Sequence, residues 1–281
     1  MDTTVKGAKK VFKEKGTCSQ TFIYLLNRDF GHNKENEERA SDPLAGGIMG
    51  RGHQCGMLWG SSLALGSESF RRYGNGGQAI GSAIIGTQHL VESFSKRTKT
   101  VNCRELTGCN LTSKFGMAKL MLKIIFQGGM ANSFCFNLAE KWAPEAIQSA
   151  TEDLSGEKTD WTQMPVSCAS EVARKMVASD EEIVMVAGFA GGLGLSGNAC
   201  GALGAAIWLN SLDWCRKNPG KSGYSNLYSK NILKAFDGAT DSKIRCSEIC
   251  GQRFKSIDDH TEFLKNGGCE TLIDLLARPI N

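Results

Sequence analysis

The residues best suited to chemistry are the cysteines, 11 in a chain of 281. As thiolates they bind metal or attack disulfides. Eight fall into two sets of four, Cys18, Cys55, Cys103 and Cys135, then Cys168, Cys200, Cys246 and Cys269. Cys55 and Cys200 each end a glycine-rich stretch and stand where a helix is expected to begin. Cys18 and Cys168 follow Thr17 and Ser167, residues that cap helix starts. Free N–H groups and the helix dipole favour negative charge there, so lowered thiol pKa values are expected at these four positions.

Four cysteines per set suit an iron–sulfur cluster or zinc. The chain has no Cys-x-x-Cys, which argues against a zinc ribbon and a thioredoxin-type site, and no Cys-x-x-Cys-His for covalent haem. Cys109 and Cys250 are accessory ligands or incidental. Cys215 lies in an apolar helix pattern and reads as a small buried hydrophobe. His53 and His260 lie near the motifs but read as hydrogen-bonded or exposed histidines. Glu105 and Glu248 read as helix caps, and the basic residues around Cys103 and Cys246 as a solvated face. Gly191, Gly194 and Gly197 imitate a dinucleotide glycine pattern without its strand or its acidic residue. No Ser/His/Asp or paired-carboxylate constellation stands out.

The elements positioning these cysteines come in two copies. AGGIMGRGHQCG at 45–56 overlays AGGLGLSGNACG at 190–201 with six identities. The other cysteines recur in the same order, the last pair only with a gap. The expected architecture is all-α: two tandem homologous helical units, 1–150 and 164–281, packed as a pseudo-dimer. The polar stretch 151–163 is the expected linker. Helices are expected after Cys18, over 55–73, 77–96, 115–126 and 131–150, with Pro144 kinking or splitting the last. In the second unit they are expected over 200–216, 225–236, 258–265 and 269–277.

Composition narrows the class. Hydrophobic residues make up 41% and can bury a sizeable core, and glycine is abundant at 33. A net charge of +4, from 33 basic and 29 acidic residues, is too balanced for a nucleic-acid binder. The run from Ile183 to Leu212 carries no charge and is long enough for a bilayer. Its copy carries Arg51 and His53 mid-run, so no membrane span is expected. The first residues lack an apolar secretory stretch, so a cytoplasmic protein with free thiols is expected.

A cysteine at a helix start, a glycine-rich run into Cys-Gly-Ala-x-x-Gly and two further separated cysteines together resemble the CGAxxG-type redox-active protein family, to which split-Soret cytochromes are related. The resemblance covers nearly the whole chain, twice. The first copy has Met57 in place of the motif alanine, and the second has Ala205 in place of its last glycine. The resemblance singles out the eight paired cysteines as the site and implies a redox role, with an iron–sulfur cluster as the cofactor. The resulting expectation is an electron-transfer protein with a redox partner protein, and a homo-oligomer stays open. The alternatives are a metal-free thiol–disulfide protein and a zinc-stabilised interaction module.

Overall fold

A computed structural model describes residues 7–154, 161 and 163–278. The first half carries α1 (Ala8–Lys15), α2 (Cys18–Asp29), α3 (Glu35–Ala40), α4 (Gly56–Tyr73), α5 (Gly77–Thr98), α6 (Cys103–Thr107), α7 (Lys114–Phe126) and α8 (Phe134–Leu154). The second carries α9 (Cys168–Lys175), α10 (Asp180–Met185), α11 (Gly201–Lys217), α12 (Tyr228–Ala239), α13 (Cys246–Ile249), α14 (Ile257–Lys265) and α15 (Glu270–Ala277). The described residues form no strand. Two isolated bridges, Gln54 with Asn102 and Ala199 with Arg245, recur at equivalent places.

Local chemistry sets the starts. The Thr17 hydroxyl accepts from Gln20 N–H at the head of α2, and the Ser167 hydroxyl from Ser170 N–H at the head of α9. Ser179 and Glu182 form a full capping box on α10, a helix not among those expected from the sequence. Pro144 does not split α8, which runs unbroken from Phe134 to Leu154. Trp142, Ala143 and Ala146 bury one face of that helix, and this packing holds it through the missing hydrogen bond. Residues 151–154 of the expected linker continue α8, while 155–160 and 162 lie outside the described residues.

The halves pack reciprocally. The short helix after the first cysteine helix leans on the other half's long central helix: α3 on α11, and α10 on α4. This is the self-complementary pattern of a two-fold dimer within one chain. Trp59 of α4 stands edge-on to Phe189 of the second half, ring centres 4.7 Å apart. A Cβ on Gly204 would lie 2.5 Å from the Trp59 ring, so bulk in one copy meets its absence in the other. A Cβ on Gly66 would lie 2.6 Å from Met185 Cα, which is how α10 comes so close to α4. One hydrophobic core runs through both halves, with Trp59, Trp142 and Trp208 fully buried. The uncharged run from Ile183 to Leu212 is almost entirely buried, divided between this core and a second apolar cluster that takes Val184, Ala187, Ala190 and Leu195. Among the described residues, no helix is long and apolar enough to cross a membrane.

Candidate functional site

The glycine-rich stretches form left-handed turns of the same shape. Gly46, Gly47, Ile48, Met49 and Gly50 all have positive φ, as do Gly191, Gly192, Leu193, Gly194 and Leu195. A left-handed conformation costs a non-glycine residue about 1–2 kcal/mol. Ile48 and Leu193 bear that cost at equivalent positions, both at φ 62°. Six-residue hydrogen bonds close the turns, Gly52 N–H to Gly46 O and Gly197 N–H to Gly191 O, each at 2.9 Å.

Each turn then fastens two cysteines. Cys103 N–H donates to His53 O at 2.7 Å, and Cys246 N–H to Asn198 O at 2.5 Å. Cys55 N–H donates to Val101 O, and Cys200 N–H to Ile244 O, both at 2.8 Å. The second and third cysteines of each half are thereby tied side by side. Cys55 and Cys200 occupy the N-caps of α4 and α11. Backbone N–H groups turn toward the sulfurs in matching places, with Gly46 at Cys18 and Gly191 at Cys168. Met57 does the same at Cys55, and Ala202 at Cys200. A Cβ on Gly56 would lie 2.6 Å from Cys18 Sγ, so only glycine lets α4 approach the sulfur.

Five sulfurs converge per half rather than four. Cys18, Cys55, Cys103, Cys109 and Cys135 lie close enough to act on one another electrostatically. In the second half Cys168, Cys200, Cys246, Cys250 and Cys269 line one cavity of about 10 Å³, about the space one water needs. There the Cys250 sulfur lies 3.5 Å from that of Cys269 and 3.8 Å from that of Cys246. All eleven thiols are free. Cys109 and Cys250 do not align, yet both arrive: Cys109 beyond the end of α6, Cys250 one turn beyond Cys246 at the end of α13. The i, i+4 spacing in the second half was the signal for this. Cys215 stays apart, fully buried in α11, as an apolar-patterned cysteine should.

The expected lowering of thiol pKa values holds at Cys18 alone. Hydrogen bonding from Cys55 pulls Cys18 down, aided by the N–H groups of Gly46 and Gly56, and Cys55 is raised correspondingly. At the other helix starts burial outweighs the N–H groups: Cys168 is raised and Cys200 is pushed up to about 12. Burial also raises Cys103 and pushes Cys135 up to about 12. Cys250 reaches about 12 through its contact with Cys246. A cation among these sulfurs would reverse this, because a coordinating thiol ionises outright.

The neighbouring residues read in the chain fall mostly outside the sulfur sets. His260 shares the second cavity, where its Nδ1 meets Val166 O at 3.2 Å. Burial depresses it to about 4. His53 is also depressed to about 4, by burial and then by Arg104, Arg51 and Arg245. Glu105 accepts from Asn102 Nδ2 at the start of α6, and Glu248 pairs with Arg245. Gln54, beside Cys55, links the two turns: its amide donates to Gly192 O at 2.6 Å and accepts from Ala199 N–H at 2.8 Å. Nothing in the spacing of the chain pointed to it.

The donor set is all sulfur, buried or half-buried, with N–H groups facing several of the thiols, which fits in kind a cluster held by thiolates. Among the described residues, no three Cys, His, Asp or Glu side chains stand at the geometry that a metal ion requires. The sulfurs of the second half would have to part to admit a cluster.

No curated protein and no solved structure matches the chain. A family model described as "Putative redox-active protein (C_GCAxxG_C_C)" matches residues 17–143 and again 166–280. That pattern is written Gly-Cys-Ala-x-x-Gly. Here Gln54 and Ala199 precede the cysteines, Gly56 and Gly201 follow them, and of the last glycines only Gly204 is kept, facing Trp59. The chain belongs to this redox-active family and carries it twice in tandem.

Proposed function

We propose that the chain is an iron–sulfur redox protein with one centre per half. Cys18, Cys55, Cys103 and Cys135 would hold the first and Cys168, Cys200, Cys246 and Cys269 the second, with Cys109 and Cys250 as fifth thiols. The observation that carries this reading is the repeated convergence of five cysteines, three buried and two half-buried in each half, beneath a left-handed turn and a helix start whose N–H groups face several of the sulfurs. When bound, a cluster supplies one-electron chemistry. The chain's own residues hold it and tune it: N–H donors to sulfur and exclusion of water both set the potential of such centres. In this reading the units 1–150 and 164–281 act as the two halves of a dimer would. The protein works in the reducing cytoplasm and passes electrons to a partner protein.

Anaerobic purification with iron and acid-labile sulfide analysis tests the proposal. Expected are both components and a broad absorbance near 400 nm, and a colourless protein lacking both would falsify it. The contacts of Cys250 with Cys246 and Cys269 favour a second reading, a metal-free dithiol centre. Thiol counting separates the two, since only the dithiol reading expects a pair of thiols to vanish on mild oxidation and return with reductant. Zinc without visible absorbance would instead indicate the interaction module.

A further inference from the structure

In the first half α7 is left nearly unpacked. Gly116 is its only buried residue. Leu120, Met121 and Ile124 line a groove of about 860 Å³ shared with α1 and the start of α8, and Cys135 lies on its wall. Phe115, Leu122, Ile125 and Phe126 fall on the opposite face at helical spacing, 81%, 55%, 69% and 87% exposed. A helix apolar on both faces belongs in an apolar surrounding. Its 13 residues, about 20 Å long, are too short to span a bilayer core of about 30 Å.

Charge supplies the second observation. From Leu106 to Ala139 the sequence has no acidic residue, while Lys114, Lys119 and Lys123 stand on α7. Lys9, Lys10 and Lys13 of α1 edge the same groove and form no ion pair among the described residues. Lys123 reaches only a neutral partner, the Thr107 carbonyl at 2.7 Å.

We propose that α7 and the groove beneath it are a docking surface for an anionic lipid bilayer. The helix lies in the boundary between headgroups and acyl chains. Its outer aromatic face enters the boundary, an acyl chain fills the groove, and the lysines meet the lipid phosphates. A rigid protein seated in the groove would cover the inner face and leave the outer one wet. A fluid apolar phase covers both. The surface is independent of what the sulfurs hold.

Cosedimentation of the full chain with phosphatidylglycerol or phosphatidylcholine vesicles tests this. Binding to the anionic vesicles should be at least about tenfold tighter and should weaken with salt. The double variant Leu122→Glu, Phe126→Glu should lose it while keeping the parent's helical circular dichroism and thiol count. If that variant loses its helical signal, Lys114→Ser with Lys119→Ser carries the test, lowering only the anionic binding. Three results would overturn the proposal: no association of the parent with anionic vesicles, association indifferent to both variants, or a lipid-free dimer that the α7 substitutions dissociate. The last would assign the face to a second copy of the chain.

Discussion

The two cysteine sites share a floor and differ in their cover. The positive-φ turn, the N-cap cysteine and the backbone anchoring of the second and third cysteines recur in both, although His53 N–H donates to Gly47 O where Gly192 O accepts from the Ser196 and Gln54 side chains instead. In the second half α14 folds across the sulfurs, placing Phe263, His260 and Leu264 around a cavity of about 10 Å³. The ring of Phe254 stands 4.8 Å from that of His260 and 5.1 Å from that of Phe263. In the first half the corresponding stretch is longer and holds α7, which leaves a groove of about 860 Å³ beside Cys135. The repeat therefore preserves what holds the sulfurs and varies what reaches them. The segment between the fifth and fourth cysteines decides access.

The largest effect should come from the shared floor. Cys55→Ser and Cys200→Ser should each remove about half of the bound iron in the proposed holoprotein, since each half has its own donor set. If either variant lost all of it, the idea of separate centres would fail. Next are the glycines behind those cysteines. A Cβ at Gly201 would lie 1.8 Å from Phe189 O, a backbone atom, while at Gly56 the nearest atom is the Cys18 sulfur at 2.6 Å. Gly201→Ala should therefore destabilise more than Gly56→Ala, in a range of about 1–3 kcal/mol. Thermal melts of the pair check the order.

The covers should differ with pH. His260 titrates at about 4 when folded and near 6.5 when unfolded. The unfolded chain then binds more protons between those values, so stability falls as pH drops from 6.5 toward 4. The loss is on the order of 2–3 kcal/mol, and it is absent above pH 6.5. His53, depressed to about 4 likewise, adds a similar loss, so His260→Gln should remove about half of the fall in denaturation midpoints across this window, and an unchanged slope would count against it. The smallest effect concerns access. Leu120→Trp should fill part of the first groove and slow alkylation of Cys135 by a bulky maleimide a few-fold, leaving Cys269 unchanged. Equal slowing of both cysteines would show that the groove does not govern access.

Much of this arrangement was legible in the residues. The Thr17 and Ser167 caps, the eight paired cysteines and the long helices after Cys55 and Cys200 are local signals, and local hydrogen bonding enforces them. The isolated character of Cys215 was legible too, from its apolar surroundings. Three features were not. The thiol pKa values went against the helix-start argument, because a dipole acts over one turn while burial depends on every neighbour. Gln54 gave no signal because its partners, Gly192 and Ala199, come from the other half. The exposure of α7 also lay beyond pattern reading: an apolar helix looks the same in sequence whether or not something packs on it.

By itself, the sequence determined the all-α duplicated plan, the starts of α2, α4, α9 and α11 and which eight cysteines recur, since caps, turns and repeats act between near neighbours. Tertiary structure alone decided that Cys109 joins the first set, and that each half props the other through α3 and α10. It also decided that one site is filled while the other borders an open groove. These outcomes depend on which surfaces meet in space, and packing over long sequence separations leaves no local trace in the chain.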